Sequence, residues 1–444
     1  MRSSILTTAV AVALATTGFS AAANAQDATT QQAAAPATTT QVVHHHRHHG
    51  VARHVIVQQA AGPGASVAAE LAARDNEIAE LKSAMANLES KVASLEERTD
   101  AQSDINVSTQ KNVETLQADA PKIDKLNKLV NDTTVGGRVF VDITDMSQKK
   151  NGVKTSATGD GLDVKRGYLT VAHQFNDTWS ASLTTDFNYA SLDGETQLFI
   201  KNLYLQGKFS DAFVFRAGAV PMPWIPFAED WYGYRYVENT LIDKQKMGNS
   251  ADWGLNANGK LADGMFNYSA AVVNGGGYKN PTRSKSMDFE GRIGFSPIEN
   301  TVIAIGGYSG DLGQDTQATP SVHDASRFDV LAAYAKGNNR LGIEYYTASD
   351  WKNILTPLED KANGYSVWGS FGFTDVLSVF GRYDNVKPSK DLDPTLRDKY
   401  FNLGLQWDVR KGVKVSAVYK NDELKDKSND QKTQEFGIFG DVSF

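Results

Sequence analysis

The chain has 444 residues, of which 41% are hydrophobic and 22% are charged, and its formal net charge is −7. This balance excludes a polybasic nucleic-acid-binding protein and an acidic disordered tail. Because the sequence contains no cysteine, disulfide frameworks and thiolate zinc sites are excluded as well.

Residues 1–25 have the features of a secretory signal peptide. Arg2 supplies the positive charge, residues 5–15 are apolar, and Ala23-Asn24-Ala25 fits a cleavage site. The alternative is a membrane-anchoring helix, which needs about 20 apolar residues. We therefore expect export and cleavage after Ala25. No other apolar run in the chain approaches the length of a membrane-spanning helix. A membrane location would therefore require a closed β-barrel.

Residues 26–65 form a low-complexity linker that is poor in large apolar residues. It holds six of the eight histidines: His44, His45, His46, His48, His49 and His54. Neutral imidazoles bind transition metals, but nothing in this composition fixes a ligand geometry. We favour a solvated tract over a selective metal site, and we predict no cofactor.

Residues 66–120 carry a heptad pattern. Its apolar a and d positions are Leu71, Ile78, Leu81, Met85, Leu88, Val92 and Leu95. Such a narrow seam predicts a self-associating coiled coil, which we place in the periplasm, and we expect Pro121 to end or kink the helix. A lone amphipathic helix docked on its own barrel is the alternative. The a and d residue types do not separate a dimer from a trimer.

Residues 134–444 alternate with a period of two, as in Trp179, Ala181 and Leu183 against their polar neighbours. Candidate long and short connections also alternate along the chain. Together these patterns favour an all-β, antiparallel transmembrane barrel of about sixteen strands over a soluble sandwich or propeller. Lipid would contact its outer face, and both termini would lie on the periplasmic side.

Such a barrel is too wide for side chains to fill, so an aqueous channel for small hydrophilic solutes is expected. The expected location is the outer membrane of a Gram-negative bacterium. Phe444 lies on the lipid-facing parity of the last strand and is similar to the aromatic last residue that outer-membrane barrels present to their assembly machinery.

Several stretches resemble the phosphate-selective porin O and P family. They include Val164-Lys165-Arg166-Gly167-Tyr168-Leu169, Ile200-Lys201-Asn202-Leu203-Tyr204-Leu205, Asp252-Trp253-Gly254, Gly291-Arg292-Ile293-Gly294-Phe295 and Gly381-Arg382-Tyr383-Asp384. The resemblance implies a sixteen-stranded, homotrimeric outer-membrane channel, with anions such as phosphate as possible solutes. The basic residue that the family has shortly after its equivalent of Gly218 is absent here.

Strand parity gives a set of candidate pore-lining residues: Arg138, Arg166, Arg216, Lys260, Arg292, Arg340 and Arg382. A ladder of basic groups would attract anions, because a narrow pore focuses the electrostatic potential. Acidic residues share the same parity, however. We therefore favour cross-strand pairing that braces the wall over a dedicated anion ladder.

Residues 221–251 form the longest connection and are rich in aromatic rings, which a solvent-exposed loop would not normally display. We predict that it folds into the barrel and narrows it, with Trp224, Phe227, Asp230, Trp231, Tyr234 and Arg235 as candidates. Capping the barrel from outside or packing on a neighbouring subunit is the alternative. The same rings could stack on sugars, as in a carbohydrate-type porin.

An outer-membrane hydrolase would need a nucleophile and a base. Outside the histidine tract only His173 and His323 remain, and neither lies in a triad or a metal motif. We therefore predict that the protein is not an enzyme. A tether or adhesin that uses the coiled coil could coexist with transport.

Overall fold

The computed structural model describes residues 63–190 and 195–444. The chain divides into two units between Ser103 and Asp104. The proposed signal peptide, the histidine tract and nearly all of the predicted linker fall outside the described residues.

The first described element is α1, Pro63–Asn131. Its apolar a and d residues from Leu71 to Leu95 are between 49% and 63% exposed. The helix does not end at Pro121 but continues ten residues further, to Asn131. It also starts three residues earlier than predicted. No helix in the described part of the chain has an apolar stretch long enough to cross a bilayer.

Residues 133–443, apart from the undescribed 191–194, form sixteen long antiparallel strands in chain order. Their bounds are β1 Thr133–Lys150, β2 Gly159–Gln174, β3 Trp179–Ala190, β4 Glu195–Ser210, β5 Phe213–Pro221, β6 Ala251–Leu261, β7 Phe266–Val273, β8 Asp288–Phe295, β9 Thr301–Gly310, β10 Ala325–Lys336, β11 Asn339–Ser349, β12 Lys361–Gly372, β13 Leu377–Lys387, β14 Arg397–Arg410, β15 Val413–Lys425 and β16 Asp430–Ser443. A two-residue strand, Val153–Lys154, extends the hairpin between β1 and β2.

The barrel closes where β1 pairs with β16, in a register that sets Asp142 opposite Phe439. Every other strand pairs with its neighbours in sequence. Closure leaves no unpaired sheet edge, which is the condition for placing strands in lipid. The prediction of a closed barrel of about sixteen strands is confirmed.

Alternation separates the two faces of each strand, as β11 illustrates. Leu341, Ile343 and Tyr345 point outward and are 38% to 62% exposed, whereas Glu344 and Tyr346 point inward and are almost fully buried. The outer face is therefore an apolar belt, and the inner face carries the polar groups.

Aromatic side chains form a girdle around the outer surface of the barrel, at the end where the short turns lie. Trp179 lies edge-on to Phe209 at 5.8 Å, and Phe371 lies edge-on to Phe373 at 5.5 Å. Phe175, Phe213 and Trp407 are exposed at the same end. Such a girdle is typical of the interfacial zones of membrane barrels.

Two connections that the alternation predicted to be long, residues 190–196 and 421–432, are short. Only residues 191–194 separate β3 from β4, and only residues 426–429 separate β15 from β16. In these hairpins the backbone hydrogen bonds between strands continue past the apolar belt. Polar residues that the sequence pattern assigned to loops therefore belong to strands.

Candidate functional site

The connection between β5 and β6, residues 222–250, lies inside the barrel, and we call it the inward segment. It carries two short helices, α2 Ile225–Tyr232 and α3 Leu241–Lys244. Its residues contact inward-facing side chains of many strands, so it cannot lie outside as a cap. The Nε1 atom of Trp224 donates to Oε1 of Glu344 in β11 at 2.8 Å, and the backbone N–H of Trp224 donates to Glu290 in β8 at 2.8 Å.

The aromatic rings of the inward segment pack chiefly against β12 to β15. Tyr234 stacks on Phe380 with 4.1 Å between ring centroids, and Tyr232 meets Trp368 edge-on at 5.7 Å. The hydroxyl of Tyr236 bonds Gln406 of β14 and Ser416 of β15. These contacts fill one side of the barrel and leave the side formed by β1 to β8 more open.

Basic wall residues hold the inward segment through its backbone carbonyls. Lys165 of β2 donates to the carbonyl of Val237 at 2.7 Å, and Arg382 of β13 donates to that of Asn239. Arg340 of β11 donates to the carbonyls of Asp230 and Trp231, at the C-terminal end of α2, where the helix dipole favours a cation. The helix ends at Gly233, whose φ of 78° is left-handed.

Ion pairs fix the second half of the inward segment. Lys244 lies 2.8 Å from Asp422, and Glu238 lies 3.8 Å from Lys420. Burial alone would raise the pKa of Glu238, but the surrounding basic residues, Lys420 foremost, lower it to about 2. Arg235 pairs with Glu229 at 2.7 Å and with Asp243 at 3.1 Å. Burial opposes its charge, yet these two carboxylates raise its pKa further above the usual value.

Three cavities follow one another along the open side. The one near the short turns has a volume of about 1500 Å³, the middle one about 510 Å³ and the one near the long loops about 630 Å³. The first two share Asp230 and Arg340, and the last two share Tyr168, Lys201 and Arg235. The middle cavity, beside the inward segment, has the smallest volume of the three.

Basic side chains outnumber acidic ones in each cavity. Five basic residues and two acidic ones line the middle cavity: Arg138, Lys201, Arg235, Arg340 and Lys414 against Glu229 and Asp230. Around the cavity near the long loops the basic residues are Arg166, Lys201, Arg235, Lys246, Lys279 and Lys352, and the acidic one is Asp243. Around the largest they are Lys208, Arg216, Lys260, Arg292 and Arg340, against Asp211, Asp230 and Asp263. The side chains that line this route therefore carry a net positive formal charge.

The candidate basic residues differ in what they contact. Arg138 forms a two-pronged pair with Asp441 at 2.7 and 2.8 Å, and Arg166 lies 3.8 Å from Asp186. Arg216 donates to Gln206 and lines the largest cavity together with Lys260.

Three other candidates hold the inward segment. Arg292 donates to the carbonyl of Pro223 and lies 3.6 Å above the ring of Phe227, Arg340 caps α2, and Arg382 is buried against Asp384. Arg382 lines none of the three cavities. The candidate basic residues thus include side chains that hold the wall or the inward segment and side chains that line a cavity.

The candidates on the inward segment also divide. Trp224 and Tyr234 are buried against the wall. Phe227, Asp230 and Trp231 line the largest cavity, and Arg235 lines the other two.

Sequence parity missed Lys201 because of a β-bulge. Thr184 pairs with Asn202 and Thr185 pairs with Ile200, so Lys201 has no opposite residue. An extra residue of this kind lets two consecutive side chains face the same way, and both Lys201 and Asn202 line the middle cavity.

The signal of the bulge is a phase change among the outward apolar residues of β4. These fall at even positions, Leu198 and Ile200, and then at odd ones, Leu203 and Leu205. A similar bulge in β2 places Lys165 next to Arg166 on the inner face.

The last residue extends the ladder beyond β16. Phe444 donates its N–H to the carbonyl of Gly137 at 3.0 Å and accepts from the N–H of Gly137 at 2.9 Å. Its ring lies over Gly137, where a Cβ would collide with it, and the ring remains 77% exposed.

Solved outer-membrane channels share this architecture. An anion-selective porin from Comamonas acidovorans superposes with a TM-score of 0.51 at 13% identity, covering 70% of this chain and 99% of that one. The protein has the fold of a porin. The outer-membrane channel DcaP of Acinetobacter baumannii gives 0.51 at 13% identity, covering 70% and 97%. OmpF of Salmonella typhi, in complex with daunomycin, gives 0.50 at 13%, covering 71% and 99%. No family model matches the chain, and no curated protein does.

Proposed function

We propose that the protein is a water-filled diffusion channel in the outer membrane of a Gram-negative bacterium, and that it passes small hydrophilic solutes with a mild preference for anions. The single observation that carries this proposal is the series of three adjoining cavities in which basic side chains outnumber acidic ones. A positive potential in a low-dielectric passage concentrates anions and repels cations.

The test is the reversal potential of purified protein in a planar bilayer under a potassium chloride gradient. We expect the sign that corresponds to preferential chloride passage. Stable pores with a cation preference would overturn the anion part of the proposal, and the absence of any conductance would overturn the channel itself.

We expect the preference to be mild, because carboxylates such as Glu229, Asp230 and Asp243 lie along the same route. We also propose that the protein is a member of the phosphate-selective porin O and P family. We do not propose a saturable phosphate site. Millimolar phosphate added to chloride should lower the conductance only slightly. Strong block by phosphate would contradict a mild preference.

A carbohydrate-type porin is less well supported. Of the six rings that the sequence offers in the inward segment, Trp224, Tyr232, Tyr234 and Tyr236 are at most 4% exposed. Phe227 and Trp231 are left to line the largest cavity. Liposome swelling with neutral sugars should therefore follow solute size, whereas faster entry of one sugar than of its size-matched isomers would favour the carbohydrate reading.

The remaining parts of the proposal concern export and assembly. We propose a signal peptide over residues 1–25, a linker over 26–65, a periplasmic coiled coil over 66–120, an outer-membrane barrel over 134–444 and a homotrimer of such chains. Insertion would use the barrel-assembly machinery through Phe444. We propose no enzymatic activity and no cofactor. A tethering role for the helix is compatible with the channel.

A further inference from the structure

Three residues line both the middle cavity and the cavity near the long loops: Tyr168, Lys201 and Arg235. We call the place where these two cavities meet the neck. Two of the three residues are basic, but they differ in how they are neutralised. Arg235 is paired with Glu229 and with Asp243, so its single positive charge is outweighed by two carboxylates.

Lys201 is not neutralised in this way. Its ammonium lies 4.7 Å above the ring of Tyr168, and no carboxylate of residues 66–189 and 196–444 lies within 4.0 Å of it. A cation held on an aromatic face keeps its full charge. The formal charges of Arg235, Glu229 and Asp243 add up to −1, so Lys201 is the charge that keeps the neck from being net negative.

We propose that Lys201 is the residue that sets the anion preference of the passage, and that the β-bulge in β4 serves to bring its charge to the neck. This inference rests on the proposed channel function. The expected solutes are small inorganic or organic anions, which would contact the ammonium transiently on the Tyr168 platform.

The size of the effect follows from Coulomb's law. A unit charge about 6 Å from a passing ion in water changes the local concentration of a monovalent anion by about threefold. The effect decreases when the Debye length becomes shorter than this distance, as it does at about 1 M salt. Measurements at about 0.1 M salt should therefore show it best.

The first experiment compares Lys201→Gln, Lys201→Arg and Lys425→Gln in bilayer measurements of the reversal potential. We expect the chloride-to-potassium permeability ratio to fall about ninefold in K201Q, because the local chloride concentration falls and the local potassium concentration rises about threefold each, and to be retained in K201R. Lys425 is exposed at the outer end of β15, pairs with Asp430 at 2.9 Å and lines none of the three cavities. K425Q removes the same charge from the chain and should leave the ratio unchanged.

The second experiment deletes Lys201. Because the bulge residue is extra, deletion joins Ile200, which faces outward, directly to Asn202, which faces inward, and restores uninterrupted alternation. The deleted chain should fold into a heat-modifiable barrel whose selectivity equals that of K201Q. Deletion of Ile343, in the middle of β11 where pairing has no register shift, inverts the faces of half a strand and should prevent folding.

The outcomes separate this inference from the proposed function. An anion-selective wild type whose ratio is the same in K201Q and K425Q would overturn the role of Lys201 and leave the channel intact. A wild type without anion preference would overturn the anion part of the proposed function itself. Failure of the Lys201 deletion to fold, with K201Q folded, would overturn the assignment of Lys201 as the extra residue.

Discussion

The indole Nε1 of Trp224 lies 2.8 Å from Oε1 of Glu344, and both side chains are almost completely buried. We predict that Trp224→Phe lowers the free energy of unfolding by about 1–3 kcal/mol, because a buried acceptor loses its donor. Urea titration of the folded barrel measures the difference. Trp231→Phe is the matched control, since Trp231 is only partly buried and lines the largest cavity. Equal losses in the two variants would show that the hydrogen bond contributes little.

The lowered pKa of Glu238 predicts how the free energy of unfolding depends on pH. Its pKa is lowered from 4.5 to about 2 in the folded protein, because Lys420, Lys165, Lys244 and Arg382 together outweigh the cost of burial. A carboxyl group with a lowered folded pKa stabilises the fold fully above its unfolded pKa, and this contribution is lost as the pH falls through the folded value. The free energy of unfolding should therefore decrease between about pH 4.5 and pH 2 on account of this group.

Glu238→Gln should lower stability at pH 7 and remove that part of the acid dependence. Glu299→Gln is the control, because Glu299 is exposed in a short turn. Unfolding free energies at pH 7, 4 and 2.5 provide the comparison. An acid profile of E238Q that runs parallel to the wild type would show that the ion pairs of Glu238 do not hold the inward segment.

Alternation along the chain predicted the barrel because one rule acts on every strand. Leu341, Ile343 and Tyr345 must face lipid, so Glu344 must face inward, and no distant contact is needed to know it. The same rule fails wherever a bulge changes the phase, which is why Lys201 escaped the set of candidate lining residues. The phase change from Ile200 to Leu203 would have revealed it.

Strand alternation could not predict the roles of the inward-facing arginines, for a different reason. Arg382 donates to the carbonyl of Asn239, and Arg292 to that of Pro223. Both acceptors belong to a connection whose path depends on the packing of Trp224 and Tyr236 against strands far away in sequence. Parity places a side chain inside the barrel, but the fold of the inward segment decides whether that side chain braces the wall or meets a solute.

Phe444 and Gly137 predict a defect in assembly. Deletion of Phe444 should lower the folded fraction in outer membranes, because it removes two backbone hydrogen bonds to Gly137 and the outward ring. Gly137→Ala should give a similar, smaller defect, since its Cβ would collide with that ring. At Gly369 in β12 a Cβ would make only ordinary van der Waals contacts, at 3.6 Å and more, so Gly369→Ala is the control. Heat modifiability on gels measures the folded fraction, and an unchanged fraction after deletion of Phe444 would contradict the prediction.

The exposed apolar seam of α1 predicts how the chains associate. Its d residues Leu81 and Leu88 are 63% and 60% exposed in the single chain, and burying such side chains between helices stabilises a coiled coil. Cross-linking of detergent-solubilised protein should give a ladder that ends at three chains. Exchanging both leucines for glutamate should lower the trimer fraction on dilution, because it places charges in the seam, while the barrel keeps its heat-modifiable fold. The same exchange at Ser83 and Ser90, on the outer face of the heptads, is the matched control and should leave the fraction unchanged. A monomeric wild type would refute the trimer, and equal trimer fractions in the two double variants would show that the barrels associate without the helix.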